Sequence, residues 1–198
     1  MPVGHEGIVA PTYSFEAAVN VTPTVLTFGH GTADQSHLTA LLEAAKVGLV
    51  VDVRRFPGSR RQPHVATDEL ARWLPDRGIR YRWEPRLGGR RRLAPTQAGS
   101  DPWWRVEAFR AYAAHTRTEE FQAAIVELMQ EVPADSEERV AVMCSESLWW
   151  RCHRRLVADV LVLLHRVAVA HLGHDGSLTT HVPAAGARVT TDGLYYDR

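Results

Sequence analysis

Cysteine, lysine and long apolar runs are scarce in this sequence, and each scarcity removes a class of protein. Only Cys144 and Cys152 occur in 198 residues. Two cysteines cannot build a disulfide framework. Free thiols persist in a reducing compartment, so a cytoplasmic protein is expected. No apolar run approaches the roughly 20 residues of a membrane-spanning helix, so no membrane partner is expected. The opening MPVGHEGIVAPTYSFEAAVN has no charged n-region and no long apolar core, and does not read as a signal peptide. There is no G-x-G-x-x-G and no Walker loop, so no nucleotide cofactor is specified and the cofactor stays unknown. There is no C-x-x-C pair either. Cys144, Cys152 and His153 are suitable ligand types, but a fourth ligand would have to come from far away, and no metal site is assigned. Lysine is reduced to Lys46 against 22 arginines. Such a bias reads as compositional, so a single surface arginine carries little weight.

What is present fits one soluble globular domain. The length is that of a single domain with its own core. The formal net charge is zero, but it is unevenly spread. Residues 54–92 hold twelve arginines against Asp68, Glu69, Asp76 and Glu84, while residues 107–138 are rich in glutamate. An arginine field of this kind attracts phosphate, carboxylate or nucleic acid.

Hydrophobic periodicity predicts an α/β domain. Pro23–Phe28, Leu49–Val53, Ile79–Trp83, Arg139–Met143 and Val167–Leu172 read as strands. Leu49–Val53 (LVVDV) is nearly continuous in apolar character, as in a parallel sheet covered on both faces. Helices are expected from Thr32 to Lys46 with a capping box, from Thr67, over Trp103–His115, from Thr118 to about Glu131, and from about Arg151 to Leu164. Gly48 is expected to stop the first of them. Residues 85–102 form a long Arg/Gly-rich loop. Alternating strands and helices imply a single, mostly parallel sheet flanked by helices. The expected organisation is an N-terminal arm (1–22), the α/β domain (23–172) and a C-terminal extension (173–198) with a terminal hairpin.

In open α/β sheets, ligands bind beyond the carboxyl ends of the strands. His30 follows the first strand there, and Arg54 and Arg55 follow the second. Arg90 and Arg91 lie in the loop after the third. Glu146, Trp149, Trp150, Cys152, His153 and Arg154 follow the fourth, in VMCSESLWWRCHRR. Cys152 falls at a helix start beside cations, a setting that favours thiolate. Glu146, Cys152, His153 and His30 are therefore the candidate catalytic residues. Arg54, Arg55, Arg90, Arg91, Trp149, Trp150 and Arg154 are the candidate ligand-binding residues, the arginines for anions and the tryptophans for stacking. Plainer roles compete. Cys144 reads equally as a small buried hydrophobe, Asp52 as an ion-pair partner of Arg54, and the tryptophans as core. A phosphatase loop does not fit, because Glu146 stands in the loop and the C-x5-R position is Trp150.

Thr27-Phe-Gly-His30, Asp52-Val-Arg54 with Pro57 and Ser59, Tyr81 before Leu87-Gly88-Gly89, Phe109…Tyr112-Ala113, and Cys144-x-Glu146-x5-Cys152-His153-Arg154 occur in this order. Together they resemble the uncharacterised bacterial family called domain of unknown function 488, over about residues 24–172. Phe28 departs from the smaller or branched residue expected there. The resemblance implies a compact α/β domain and transfers no reaction, although some relatives carry a DNA-repair label. Three functions are carried forward. The first is an enzyme or binding protein for an anionic ligand, nucleic acid or nucleotide. The second is a rhodanese-like thiol, sulfur-transfer or redox enzyme. The third is a non-catalytic module that binds an anion or partner.

Overall fold

The computed structural model describes residues 25–58, 61–132 and 137–198. The expected arm (1–22) and the first two residues of the first expected strand lie outside them. Six strands form one sheet: β1 (Val25–Gly29), β2 (Val47–Asp52), β3 (Arg80–Trp83), β4 (Arg139–Cys144), β5 (Val169–Leu172) and β6 (Leu178–Thr180). Their order is β3-β2-β4-β1-β5-β6, and every pairing is parallel except β5 with β6. Five helices cover the sheet: α1 (Gln35–Ala44), α2 (Thr67–Trp73), α3 (Glu107–Thr116), α4 (Glu119–Gln130) and α5 (Arg154–His165). The chain is an α/β domain of one mixed sheet between two helical layers. No helix among the described residues is long and apolar enough to cross a membrane.

Strand alternation sorts the core into two faces. Leu49, Val51, Val140 and Val142 pack with residues of α3, α4 and α5, while Val50, Ala141 and Met143 pack with residues of α1 and α2. Successive side chains on a strand point to opposite faces. A strand covered on both sides must therefore be apolar at nearly every position, which is why LVVDV and RVAVM were readable. Each fully buried Val, Leu or Phe of these layers contributes roughly 1.5–3 kcal/mol.

Several boundaries differ from expectation. Asp34, not Thr32, caps α1, its carboxylate accepting from the backbone N–H of His37 at 2.8 Å. Gly31 turns left-handed (φ 53°) ahead of it, which places Thr32 in the turn and not at the cap. Gly48 lies inside β2, where the Glu138 side chain occupies the space of a Cβ, and Lys46 makes the left-handed reversal (φ 54°) instead. Ala66, without a side-chain bond, precedes α2. The expected helix from Trp103 starts only at Glu107. Asp101 holds that turn with φ 56°, its carboxylate accepting from Arg117 at 2.7 and 3.0 Å and from the Tyr196 N–H at 3.0 Å. The long loop of residues 85–102 includes 3-10 turns at Pro85–Leu87 and Pro95–Gln97. A further 3-10 turn, Trp149–Arg151, delays α5 to Arg154.

The C-terminal segment is part of the fold. β6 extends the sheet, and the expected hairpin is β7 (Ala187–Thr190) with β8 (Gly193–Tyr196), packed on α3 and α5. A buried hydrogen-bond chain ties it in. The Asp159 carboxylate accepts from Tyr196 Oη at 2.9 Å, the Ala184 N–H at 3.1 Å and His181 Nε2 at 2.7 Å. His181 Nδ1 lies 2.9 Å from His171 Nε2, and His171 Nδ1 lies 2.7 Å from Thr27 Oγ1. One N–H from each imidazole, directed along the chain towards Asp159, satisfies every link.

Candidate functional site

A cleft of about 440 Å³ opens at the carboxyl ends of β1, β2 and β4. β4 delivers Cys144 to its floor. The exposed loop that follows returns through Cys152 into α5, so the two cysteines meet although eight positions separate them in sequence. Cys144 and Cys152 are buried free thiols. His153 Nδ1 lies 3.9 Å from Cys144 Sγ and 3.6 Å from Cys152 Sγ. Arg154, buried, donates from Nε to Cys152 Sγ at 3.3 Å and from Nη2 to the Glu146 carbonyl. The hydrogen bond from Cys144 and the charge of Arg154 lower the Cys152 thiol to about 6. The same sulfur–sulfur hydrogen bond, with burial, raises Cys144 to about 12. The two shifts run in opposite directions, so Cys152 is the sulfur that ionises first. Tyr112 closes the floor, its ring 4.9 Å from that of His153 and its hydroxyl donating to the Leu87 carbonyl at 2.5 Å.

The wall from β1 explains the Gly29-His30-Gly31 bracket. A Cβ on Gly29 would stand 1.8 Å from the Glu146 carbonyl oxygen. The loop after β4 rests on this strand end through His30 N–H to Cys144 O (2.9 Å) and Gly31 N–H to Ser145 O (3.0 Å). Gly89 is held in a comparable way, since its Cβ would meet His153 Nδ1 at 2.8 Å. His30 itself is buried. Its Nδ1–H donates to the Gly31 carbonyl at 3.0 Å, and its Nε2 lies 3.3 Å from Arg54 Nη1. Burial and the Arg54 charge lower its imidazole to about 4, so it is neutral near pH 7 and accepts from Arg54. Arg54 is in turn clamped by Asp52, with Nε–Oδ1 at 2.8 Å and Nη2–Oδ2 at 2.5 Å, and Tyr81 Oη donates to the same carboxylate at 2.9 Å.

The basic stretch and the acidic helix largely neutralise one another. Arg80 pairs with Glu131 at 2.8 Å, Arg82 with Glu84 at 2.7 Å, Arg86 with Glu84 at 2.6 Å and with Glu127 at 2.9 Å, and Arg91 with Glu120 at 3.7 Å. Arg55, Arg90 and Arg151 line the cleft and form no ion pair among the described residues. Arg55 instead donates to the Arg90 carbonyl at 3.1 Å.

Of the sequence-predicted residues, the cleft brings together His30, Arg54, Arg55, Arg90, Glu146, Cys152 and His153. It does not include Arg91, Trp149, Trp150 or Arg154. Arg91 donates to the carbonyls of Gly88, Pro85 and Arg86 and so shapes its own loop. Trp149 stacks on His171 at 4.0 Å and 7°, which commits its face to the core. Trp150 is half exposed but off the cleft. Arg154 serves Cys152 from behind. Glu146 is exposed, and its carboxylate accepts from the Leu148 N–H at 3.1 Å. Cys144, Phe56, Val106, Phe109, Tyr112 and Arg151 also line the cleft. Of these, Cys144, Phe109 and Tyr112 stood out in the sequence through the family resemblance, and nothing local marks Phe56 or Val106.

The family model described as domain of unknown function DUF488 matches residues 35–161. The match includes the Cys144–Arg154 corner, Arg54 and Arg90, and stops short of His30. No curated protein and no solved structure matches the chain.

Proposed function

The chain belongs to the DUF488 family, which carries no assigned activity, and we propose that its cleft binds a phosphate-bearing substrate, a nucleotide or one nucleotide unit of a nucleic acid. One observation carries this reading: Arg55, Arg90 and Arg151 converge on a concave site while most neighbouring arginines are neutralised. Guanidinium groups free of carboxylates are suited to phosphate oxygens. Phe56 and Val106, both more than half exposed at the cleft, offer apolar surface to a base. The volume lies within the range of small-ligand sites. Cys144, Cys152 and His153 put reactive groups on the floor below the bound phosphate.

The test is equilibrium binding of nucleoside phosphates and of a single-stranded oligonucleotide at low salt. Arg55→Ala with Arg90→Ala should weaken binding and flatten the salt dependence, each lost phosphate contact removing about 0.7 from the log–log slope for single strands. Absence of binding by every phosphate ligand at low salt refutes the reading. A second reading, thiol or sulfur transfer, is supported by the contact between the two thiols. It is discarded if neither thiol of native, reduced protein reacts with a small alkylating reagent.

A further inference from the structure

We propose that Cys144, Cys152 and His153 form a zinc-type metal site whose fourth coordination position opens into the cleft. The proposal deepens the phosphate-binding reading and rests on the same cleft. The donor atoms of the three residues all lie within 4.8 Å of one another. In a tetrahedral centre with Zn–S of about 2.3 Å and Zn–N of about 2.0–2.1 Å, a sulfur and a nitrogen on the same ion stand roughly 3.6 Å apart. His153 Nδ1 stands 3.6 Å from one sulfur and 3.9 Å from the other. Both nitrogen–sulfur edges are therefore at or within a few tenths of an ångström of the tetrahedral spacing, and the two sulfurs lie within 4.8 Å of each other.

The surroundings match the demands of such a centre. Both sulfurs are buried, and the imidazole aims Nδ1 at them. Arg154 Nε–H, 3.3 Å from Cys152 Sγ, steadies a thiolate ligand from behind, as outer-shell donors do. Gly89 leaves room for the imidazole, since a Cβ there would meet Nδ1 at 2.8 Å. Two thiolates and an imidazole are soft to borderline donors, which select zinc over magnesium, calcium or manganese. Three protein ligands leave one position, and all three residues line the cleft. That is the arrangement of a metal that polarises a substrate or a water, not of a closed structural site. On binding, the ion displaces the remaining thiol protons to solvent, and both sulfurs become thiolate ligands.

The experiment uses the full chain, stripped by chelator under reductant and titrated with Co²⁺ and then Zn²⁺, with no nucleotide present. One equivalent of Co²⁺ should give thiolate-to-cobalt charge-transfer absorption and the intense visible bands of a tetrahedral ion, and Zn²⁺ should abolish both. Cys144→Ser, Cys152→Ser and His153→Asn should each weaken binding by more than the roughly 10–100-fold that outer-shell changes cost. Glu137→Gln, at an exposed partner of Lys46 outside the cleft, should leave stoichiometry and affinity unchanged. If the cysteine variants fail to fold, alkylation of the wild-type protein decides: saturating Zn²⁺ should protect both thiols while near-ultraviolet circular dichroism stays native. Absence of charge-transfer absorption, or thiols that alkylate equally with and without Zn²⁺, overturns the proposal. Phosphate binding measured on the stripped protein fails or succeeds independently of this result.

Discussion

Acid should destabilise this fold through His171, and the size of the effect follows from its burial. His171 is 2% exposed and lies inside the Thr27–His171–His181–Asp159 chain, with Trp149 stacked on its ring. Burial, then the neighbouring His181 and the charges of Arg154 and Arg155, lower the imidazole from 6.5 to about 3. The unfolded chain therefore holds a proton between these values that the folded chain refuses. Stability contributed by the neutral form is complete above 6.5 and is lost as the pH falls towards 3. At about 1.4 kcal/mol per pH unit, moving from neutral to about pH 4 should cost the wild-type fold about 3 kcal/mol through this one group. Urea midpoints across that range measure it. His171→Gln should be less stable at neutral pH, having lost part of the chain, yet its stability should fall less steeply with acid, by about one proton. His30, lowered to about 4, and other groups titrate in both proteins, so the difference between the two curves isolates His171. Parallel curves for wild type and His171→Gln would refute the reasoning.

Other outcomes are expected from the same geometry. Gly29→Ala places a methyl group 1.8 Å from a backbone carbonyl that cannot retreat without breaking strand-end bonds. It should cost about 1–3 kcal/mol in thermal or urea unfolding and change the reactivity of Cys152. Tyr196→Phe removes a buried hydroxyl from the Asp159 carboxylate and should lower stability by about 1.5–3 kcal/mol, read as a shift in urea midpoint. Asp52→Asn leaves Arg54 buried without its counter-charge and should cost about 3–5 kcal/mol in the same assay. Arg91→Ala should leave phosphate affinity nearly unchanged, in contrast to Arg90→Ala, because Arg91 is spent on the carbonyls of its own loop.

How much of this was legible in the sequence depended on whether a residue's role is set by its neighbours in the chain or by partners far from it. β2 and β4 were legible because a strand buried on both faces must be apolar throughout. The edge that carries the cleft was legible for the same kind of reason, since strand ends are local features and their topology gathers them. That Trp149 and Arg91 lie off the cleft was not legible, because their partners, His171 and the carbonyls of Pro85, Arg86 and Gly88, are fixed only by the fold. Cys144, Cys152 and His153 were readable as ligand types, but the same limit hid how closely they converge. Counting close cysteine pairs is a test for metal knuckles within one turn, whereas here a strand end and a helix start fold back on one another across the loop of residues 145–151. What sets the span of that loop is not in the corner at all. It lies on Gly29 and Gly31, and the missing side chains at these two positions, at and just beyond the end of β1, let it sit low enough to bring Cys152 and His153 back to Cys144. The glycines around His30 and the two cysteines, one ending β4 and one just before α5, are thus two halves of one construction, and a bulkier residue at either glycine should open the corner without touching a reactive atom.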